Sequence, residues 1–274
     1  MAGKEINLKL LILDSDGMIG HVVKQYFKEH GHNISCFDLK NDFDVLRKKL
    51  SEEKYDAVIN CVAVINHDAE IDKVSAVKIN SLLPHFLEYV TEGTNTIVVH
   101  RSTDCIFSGN KGNYTLEDWP DAKSFYARSK ALGELDNAKD ITIRTSLIGP
   151  ETSINGSGLF NWFYNQKGEI KGFFNSIWTG ITTIEFARDI EILLNKHKHG
   201  IFQLVPNYSI RKYDLLLLFQ KYYPANRKIV QFENEKVDKS LMPFCDEILV
   251  PDYEVQIAEM RHWTDSHKDL YRYQ

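Results

Sequence analysis

Tyr126-Ala-Arg-Ser-Lys130 puts a phenol and an ammonium four positions apart, on one face of the segment if it is helical. A nearby cation lowers a phenol's pKa. Such a tyrosine can give a proton to a developing alkoxide near neutral pH, with the lysine also available to hold ribose hydroxyls. With 13 tyrosines in the chain roughly one chance match is expected, and Tyr208 to Lys212 is a second match. Context separates the two. Tyr126 follows a strand-like run ending in Arg101-Ser102-Thr103-Asp104, whose hydroxyls would emerge at the carboxyl edge of a sheet, where ligands bind. Tyr208 follows Asn207 in a turn, with no hydroxyl-bearing strand before it.

The turn Asp14-Ser-Asp-Gly-Met-Ile-Gly20 closes the first apolar run and opens a helical pattern, the place where a doubly wound fold binds a dinucleotide. Gly17 lets backbone N–H groups approach a pyrophosphate, Gly20 allows helix to pack closely on strand, and Met18 and Ile19 complete the cofactor-facing turn. Asp14 stands where the fingerprint has its first glycine. Asp14 and Asp16 place carboxylates near a pyrophosphate, which opposes binding unless they turn away or cap the helix, and a plain strand-to-helix turn is the bland alternative. Asp38, about 18 residues past Gly20, is placed to accept hydrogen bonds from the adenosine ribose and so favours NAD. Lys40, two residues on, could instead contact a 2′-phosphate.

Positioning these groups takes strands and helices in alternation. The apolar patterns predict strands at Leu8–Leu13, Ile34–Phe37, Ala57–Cys61, Thr96–His100 and Ile141–Thr145. Helices are predicted at Met18–His30, Asp44–Leu50, between Ile71 and Val90, and from about Phe125 to Asn137. The fold class is α/β, a Rossmann-type doubly wound parallel sheet with a smaller interleaved C-terminal substrate-binding region. Residues 149–180 contain six glycines and no long apolar period, which suggests a loop-rich cap. Helix Thr183–Leu194, strand Ile201–Val205 and helix Arg211–Tyr222 follow, before a polar C-terminal segment. The expected dinucleotide-binding domain is therefore 1–148 with 182–206 returning to it, and the cap is 149–181 with 207–274.

The composition narrows the function classes. In 274 residues, 43% are hydrophobic and 26% charged, which excludes disordered and collagen-like chains. A net charge of −5 offers no general attraction for nucleic acid or anionic membranes. The first apolar run is too short for a signal peptide core or a membrane span. Cys36, Cys61, Cys105 and Cys245 form no CxxC pair, which reads as reduced thiols in a cytoplasmic protein, and no metal is expected.

Taken in order, Gly17-xx-Gly20, Asn60-Cys-Val-Ala63, Asn80, Ser102-Thr-Asp-Cys-Ile-Phe-Ser-Gly109, Tyr126-xxx-Lys130 and Arg144-Thr-Ser146 resemble the extended short-chain dehydrogenases/reductases. Among these the chain looks most like the dTDP-4-dehydrorhamnose reductase family, over essentially its whole length. The resemblance implies reduction of the 4-keto group of a nucleotide-linked deoxysugar with NADH or NADPH, in polysaccharide or glycoconjugate synthesis. It implies that Thr103 hydrogen-bonds the substrate carbonyl, that Tyr126 donates the proton, that Lys130 binds the nicotinamide ribose, and that Asp104 orients Thr103 or the substrate. Cys61, Val62, Ala63, Asn80 and Ser102 would then be cofactor-shell residues, with Arg144 to Ser146 behind the nicotinamide. Trp162 and Trp178, with Phe163, Phe173 and Phe174, could stack on the substrate's base or sugar, or form a small core of their own. The implied partners are a nucleotide sugar and a second copy of the chain in a homodimer, with no nucleic acid and no membrane. Cys105, Ser108, Leu147 and Trp178-Thr-Gly-Ile-Thr-Thr183 depart from the family's pattern in its substrate-facing half. Two other readings share these residues: a nucleotide-sugar epimerase or dehydratase, and a non-catalytic regulatory subunit that keeps the fold.

Overall fold

Leu10, Leu11, Ile12 and Leu13 are each fully buried, as a strand covered on both faces must be, and they form most of β1 (Lys9–Leu13). The computed structural model describes residues 7–39, 42–153, 155–245 and 248–273. Lys40 lies outside the described residues. After β1 come α1 (Gly20–Glu29), β2 (Asn33–Phe37), α2 (Phe43–Glu52), β3 (Ala57–Asn60), the short helices α3 (Asn66–Ile71) and α4 (Lys73–Ala76), and a π-helical turn at Val77–Leu82. The turn runs into α5 (Leu83–Val90), followed by β4 (Ile97–Arg101), α6 (Phe125–Leu132) and β5 (Ile141–Arg144).

β1 pairs in parallel with both β2 and β3, with Ile12 opposite Cys36 on one side and Ile59 on the other. β3 pairs with β4, and β4 with β5, also in parallel. A strand at Gly200–Gln203 completes the sheet beside β5, so its order is Gly200–Gln203, β5, β4, β3, β1, β2. The sheet is Rossmann-type and doubly wound, with its order reversing between β1 and β3. In such sheets ligands bind in the crevice beyond the carboxyl ends of the strands at that reversal.

The chain divides into two compact units that share it in alternating segments. The first holds the residues up to Ser102, Lys123–Arg144 and Ala187–Phe202, and the second holds Thr103–Ala122, Thr145–Phe186 and the residues from Gln203 onward. The core of the first gathers Leu11, Leu13, Val58, Val98, Leu83 and Leu87 between sheet and helices.

Three expectations change. The helix from Phe125 ends at Leu132 rather than Asn137, because Gly133 closes it. A Cβ on Gly133 would lie 1.9 Å from the Asn80 carbonyl oxygen, so the chain there must be glycine and must turn away. Residues 149–180 are not loop-rich: they contain the helix Leu159–Asn165 and the strands Gly168–Phe173 and Ser176–Trp178. Gly168–Phe173 pairs in parallel with Arg227–Phe232. The polar C-terminal segment contains that last strand and the helix Tyr253–Ser266. Among the described residues no helix is long and apolar enough to cross a membrane.

Candidate active site

α6 begins where two acceptors meet its free amides. Ser124 Oγ accepts from the Ala127 N–H at 3.1 Å, and the Glu70 carboxylate accepts from Phe125 N–H at 2.6 Å and Tyr126 N–H at 3.4 Å. One face of the helix, carrying Tyr126, Ala127, Ser129 and Lys130, is buried. Tyr126 and Lys130 therefore share a face as the spacing predicts. Tyr208 and Lys212 do not share a helix, since Lys212 opens one and the strand Ile210–Arg211 stands between them.

Lys130 is wholly enclosed. Its Nζ donates to the Arg101 carbonyl at 2.6 Å and lies 3.2 Å from His100 Nε2, while His100 Nδ1 lies 3.2 Å from Asn60 Nδ2. Burial, followed by the charge of Arg101, holds the Lys130 ammonium well below its ordinary pKa. Burial, with the charges of Lys130 and Arg101, does the same to His100. Of these partners His100 was missed from sequence, while Asn60 and Arg101 figured there only within the Asn60–Ala63 and Arg101–Asp104 segments, without a role as partners of Lys130. The available signal was a histidine and an arginine closing β4, a central strand whose neighbours are otherwise aliphatic.

Several expected cofactor-shell residues also hold structure. Asn80 spans the gap to the segment after β3, accepting from Val64 N–H at 2.9 Å and donating to the Val64 carbonyl at 2.8 Å and Ser129 Oγ at 3.0 Å. It thereby fixes Cys61-Val62-Ala63 without offering its own amide. Cys61 is buried, with its thiol pushed up to about 12, and Val62 and Ala63 are half-buried. Ser102 Oγ donates to Glu134 Oε1 at 2.5 Å, and Glu134 is gripped by Arg144 through Nε at 2.9 Å and Nη2 at 2.7 Å. Glu134 was also missed, because its fork with Arg144 forms across a turn.

At the other end of the crevice, Gly20 is tightly required. A Cβ there would lie 1.9 Å from the Asp14 carbonyl oxygen, so the packing role expected of it is real. A Cβ on Gly17 would meet the Asp14 carboxylate, with Oδ2 at 2.4 Å. The space that would admit a pyrophosphate thus holds a side chain, not backbone, and a rotation of Asp14 clears it. α1 carries no side-chain cap and no acid in its first turn, so its amide end suits a phosphate, and Met18 and Ile19 lead into it. Asp38 follows β2 directly, the place from which the sequence expects a ribose contact. The turn therefore fits a dinucleotide once Asp14 swings aside.

In the second unit, Thr103 and Asp104 are both buried. Thr103 Oγ1 accepts from the Cys105 N–H at 3.1 Å and donates to Asp104 Oδ1 at 3.2 Å, so its hydroxyl is fully oriented. Burial raises the Asp104 pKa, against the charges of Lys239 and Lys212. Lys212 also lines a cavity of about 510 Å³ with Trp162, Phe173, Leu159, Ile170 and Leu216. Trp162 is 40% exposed there. Trp178 is not ligand-facing: it is 5% exposed, 5.8 Å from the Tyr253 ring, and it covers Gly180. Phe163 is likewise core, with the Arg227 guanidinium 4.1 Å from its ring centroid. No cluster of three or more His, Cys, Asp or Glu side chains able to hold a metal occurs among the described residues.

Comparison with known proteins agrees with this frame. Residues 8–155 match the model of the RmlD substrate binding domain. The chain is 30% identical over 135 residues to a probable dTDP-4,6-dihydroxy-2-methyloxan-3-one 4-ketoreductase of Streptomyces antibioticus, covering 46% of this chain and 45% of that protein. It is 26% identical over 208 residues to the spore coat polysaccharide biosynthesis protein SpsK of Bacillus subtilis, covering 72% of each. The chain spans about half the length of most of the curated relatives it matches. Its fold resembles that of dTDP-4-dehydrorhamnose reductase from Bacillus anthracis, solved with NADP, at a TM-score of 0.83 and 18% identity over 94% of this chain and all of that one. With the family model covering more than half of its length, the chain belongs to the dTDP-4-dehydrorhamnose reductase family of extended short-chain dehydrogenases/reductases.

Proposed function

We propose that this protein is an NAD(P)H-dependent reductase of the 4-keto group of a nucleotide-linked deoxysugar, acting in polysaccharide or glycoconjugate synthesis in the cytoplasm, as a homodimer. The observation that carries the reading is the buried face of α6, where Tyr126 and Lys130 stand one turn apart and Lys130 reaches the carboxyl end of β4. A bound nicotinamide would supply the hydride. Tyr126 gives the proton to the developing alkoxide, and the Thr103 hydroxyl, held by Cys105 N–H, turns its proton from Asp104 to the substrate carbonyl. Gly17, Met18, Ile19, Gly20 and Asp38 hold the adenosine and pyrophosphate half, and Lys130 holds the nicotinamide ribose by leaving His100. Cys61, Val62 and Ala63 line the cofactor, with Asn80 and Ser102 as their supports. Trp162 offers a stacking face to the nucleotide sugar, with Lys212 near enough to favour its diphosphate.

Titration of the purified protein with NADH and NADPH, read by fluorescence transfer from its tryptophans, is the test, followed by turnover of 4-keto dTDP-, UDP- and GDP-sugars. Saturable binding with cofactor-stoichiometric reduction is expected. Conversion with substoichiometric cofactor would indicate an epimerase or dehydratase instead. The Asp14 carboxylate over Gly17 favours one further reading, a regulatory subunit that binds no cofactor, and the absence of binding by either dinucleotide would select it.

A further inference from the structure

Asn60, His100 and Lys130 form a chain of hydrogen-bonding groups from the carboxyl ends of β3 and β4 to α6, and none of the three is more than 1% exposed. The chain has one consistent assignment of protons. Asn60 Oδ1 accepts from the Val62 N–H at 3.2 Å, which fixes the orientation of its amide, because the reverse would set two donors against each other. Its Nδ2 therefore donates to His100 Nδ1 at 3.2 Å, so that Nδ1 carries a lone pair and the imidazole is neutral. The ring proton then sits on Nε2, and that N–H faces Lys130 Nζ at 3.2 Å. An ammonium has no lone pair to receive it. A neutral amine has one, and its own N–H donates to the Arg101 carbonyl at 2.6 Å. Burial disfavours the charged forms of Lys130 and His100 alike, and the Arg101 guanidinium adds to that.

We propose that the cofactor-free protein stores Lys130 as a neutral amine held by the His100 Nε2–H, and that Lys130 takes up one proton from solvent when it leaves His100 for the ribose hydroxyls of the dinucleotide. The inference rests on the dinucleotide reading above. Ribose oxygens accept hydrogen bonds and the phosphates bring negative charge, so the ammonium form is favoured there. Tyr126, one turn back on the same buried face, therefore meets an adjacent cation only in the loaded site. His100 is a positioning residue, and Asn60 sets its tautomer. The ionisable groups around the pair are Arg101 on β4, Glu134 after α6, His85 on α5, and Tyr126 with Glu70 at the start of α6. Glu134 is committed to Arg144 at 2.7 Å. The proton comes from solvent rather than from Tyr126, which must keep its own to act as the acid. As pH rises the proton is harder to obtain, so the dinucleotide binds more weakly.

The test is calorimetric titration with NADH and NADPH from about pH 6 to about pH 9, in phosphate and in Tris, whose different heats of ionisation report the protons taken up on binding. The wild type should take up about one proton per dinucleotide within this range, and there its dissociation constant should rise about tenfold per pH unit. Lys130→Met should abolish the uptake, which separates Lys130 from the carboxyls of the Asp14 turn. Asn60→Asp offers two acceptors, which draws the His100 proton onto Nδ1 and leaves Nε2 to accept from an ammonium, so its uptake should fall to near zero while binding persists. In the cofactor-free wild type, long-range proton–nitrogen spectra should show His100 with a bare Nδ1 and a protonated Nε2. Binding without proton uptake, uptake that persists in Lys130→Met or Asn60→Asp, or a proton on His100 Nδ1 would each overturn the proposal and leave the dinucleotide reading intact. If the wild type binds neither dinucleotide although circular dichroism shows it folded, both fail.

Discussion

In the proposed mechanism Tyr126 supplies the proton and Lys130 holds the nicotinamide ribose. Removing only the phenolic hydroxyl in Tyr126→Phe should lower kcat by about 10² or more, the usual contribution of a general acid, while leaving the NADPH dissociation constant nearly unchanged. Turnover at the wild-type rate would take Tyr126 out of the mechanism. Asp104 carries a pH signature of its own. Burial raises its carboxyl above the ordinary value of 3.8, so the folded protein binds this proton more tightly than the unfolded chain does. The stability it contributes is complete below that value and is lost as pH rises through the raised pKa. The wild type is expected to lose Tm above about pH 4, and Asp104→Asn, which cannot ionise, should flatten that fall. Parallel Tm curves for the two proteins would show that the raised carboxyl has no bearing on stability.

The turn from β1 to α1 separates two glycines that look alike in sequence. A Cβ at Gly20 would collide with backbone, the Asp14 carbonyl oxygen and Ser15 Cα, which cannot move without unseating the helix. At Gly17 the obstacle is only the end of the Asp14 side chain. Gly20→Ala is therefore expected to lower the unfolding free energy, measured by denaturant titration, by about 3 kcal/mol or to prevent folding, and Gly17→Ala to cost under about 1 kcal/mol. Equal costs would contradict the geometry. The elements most legible from sequence were of this kind: β1, β3, β4 and β5 announce themselves as aliphatic runs bounded by turns, and α1 by its apolar period. The strand Gly168–Phe173 was hidden because its inward positions are Ile170 and Gly172, and glycine carries no hydrophobic signal. The helix Tyr253–Ser266 was hidden by polar residues such as Gln256 and Thr264 that are nonetheless buried. Gln256 is spent on the Thr182 N–H at 2.8 Å and the Pro251 carbonyl at 2.8 Å. In the candidate site, side chains were legible where chemistry fixes type and order, as in Tyr126, Lys130 and the turn at Gly17. They were illegible where a partner comes from a distant segment, as with His100 beneath Lys130 and Glu134 beside Ser102.

The family supplies a cofactor expectation that acts on the entire protein. A dinucleotide that binds only the folded chain, added at about 100 times its dissociation constant, stabilises by about 2.7 kcal/mol and should raise Tm by about 5 °C. A Tm indifferent to both NADH and NADPH would count against the site. The sheet that carries this site has a further property, which concerns its manufacture. β5 is complete at Arg144, but its outer neighbour in the sheet is the strand ending at Gln203, and the segment from Thr145 to Phe186 belongs to the other unit. On a ribosome adding about 5 to 20 residues per second, β5 waits roughly 3 to 12 seconds with one row of amides and carbonyls unmatched. An unmatched strand edge templates association between chains, so the vulnerable species in the life of this protein is the nascent chain between those two points. Its yield in a cell should therefore depend on translation speed and on chaperones that shield strand edges more than on the stability of the finished fold.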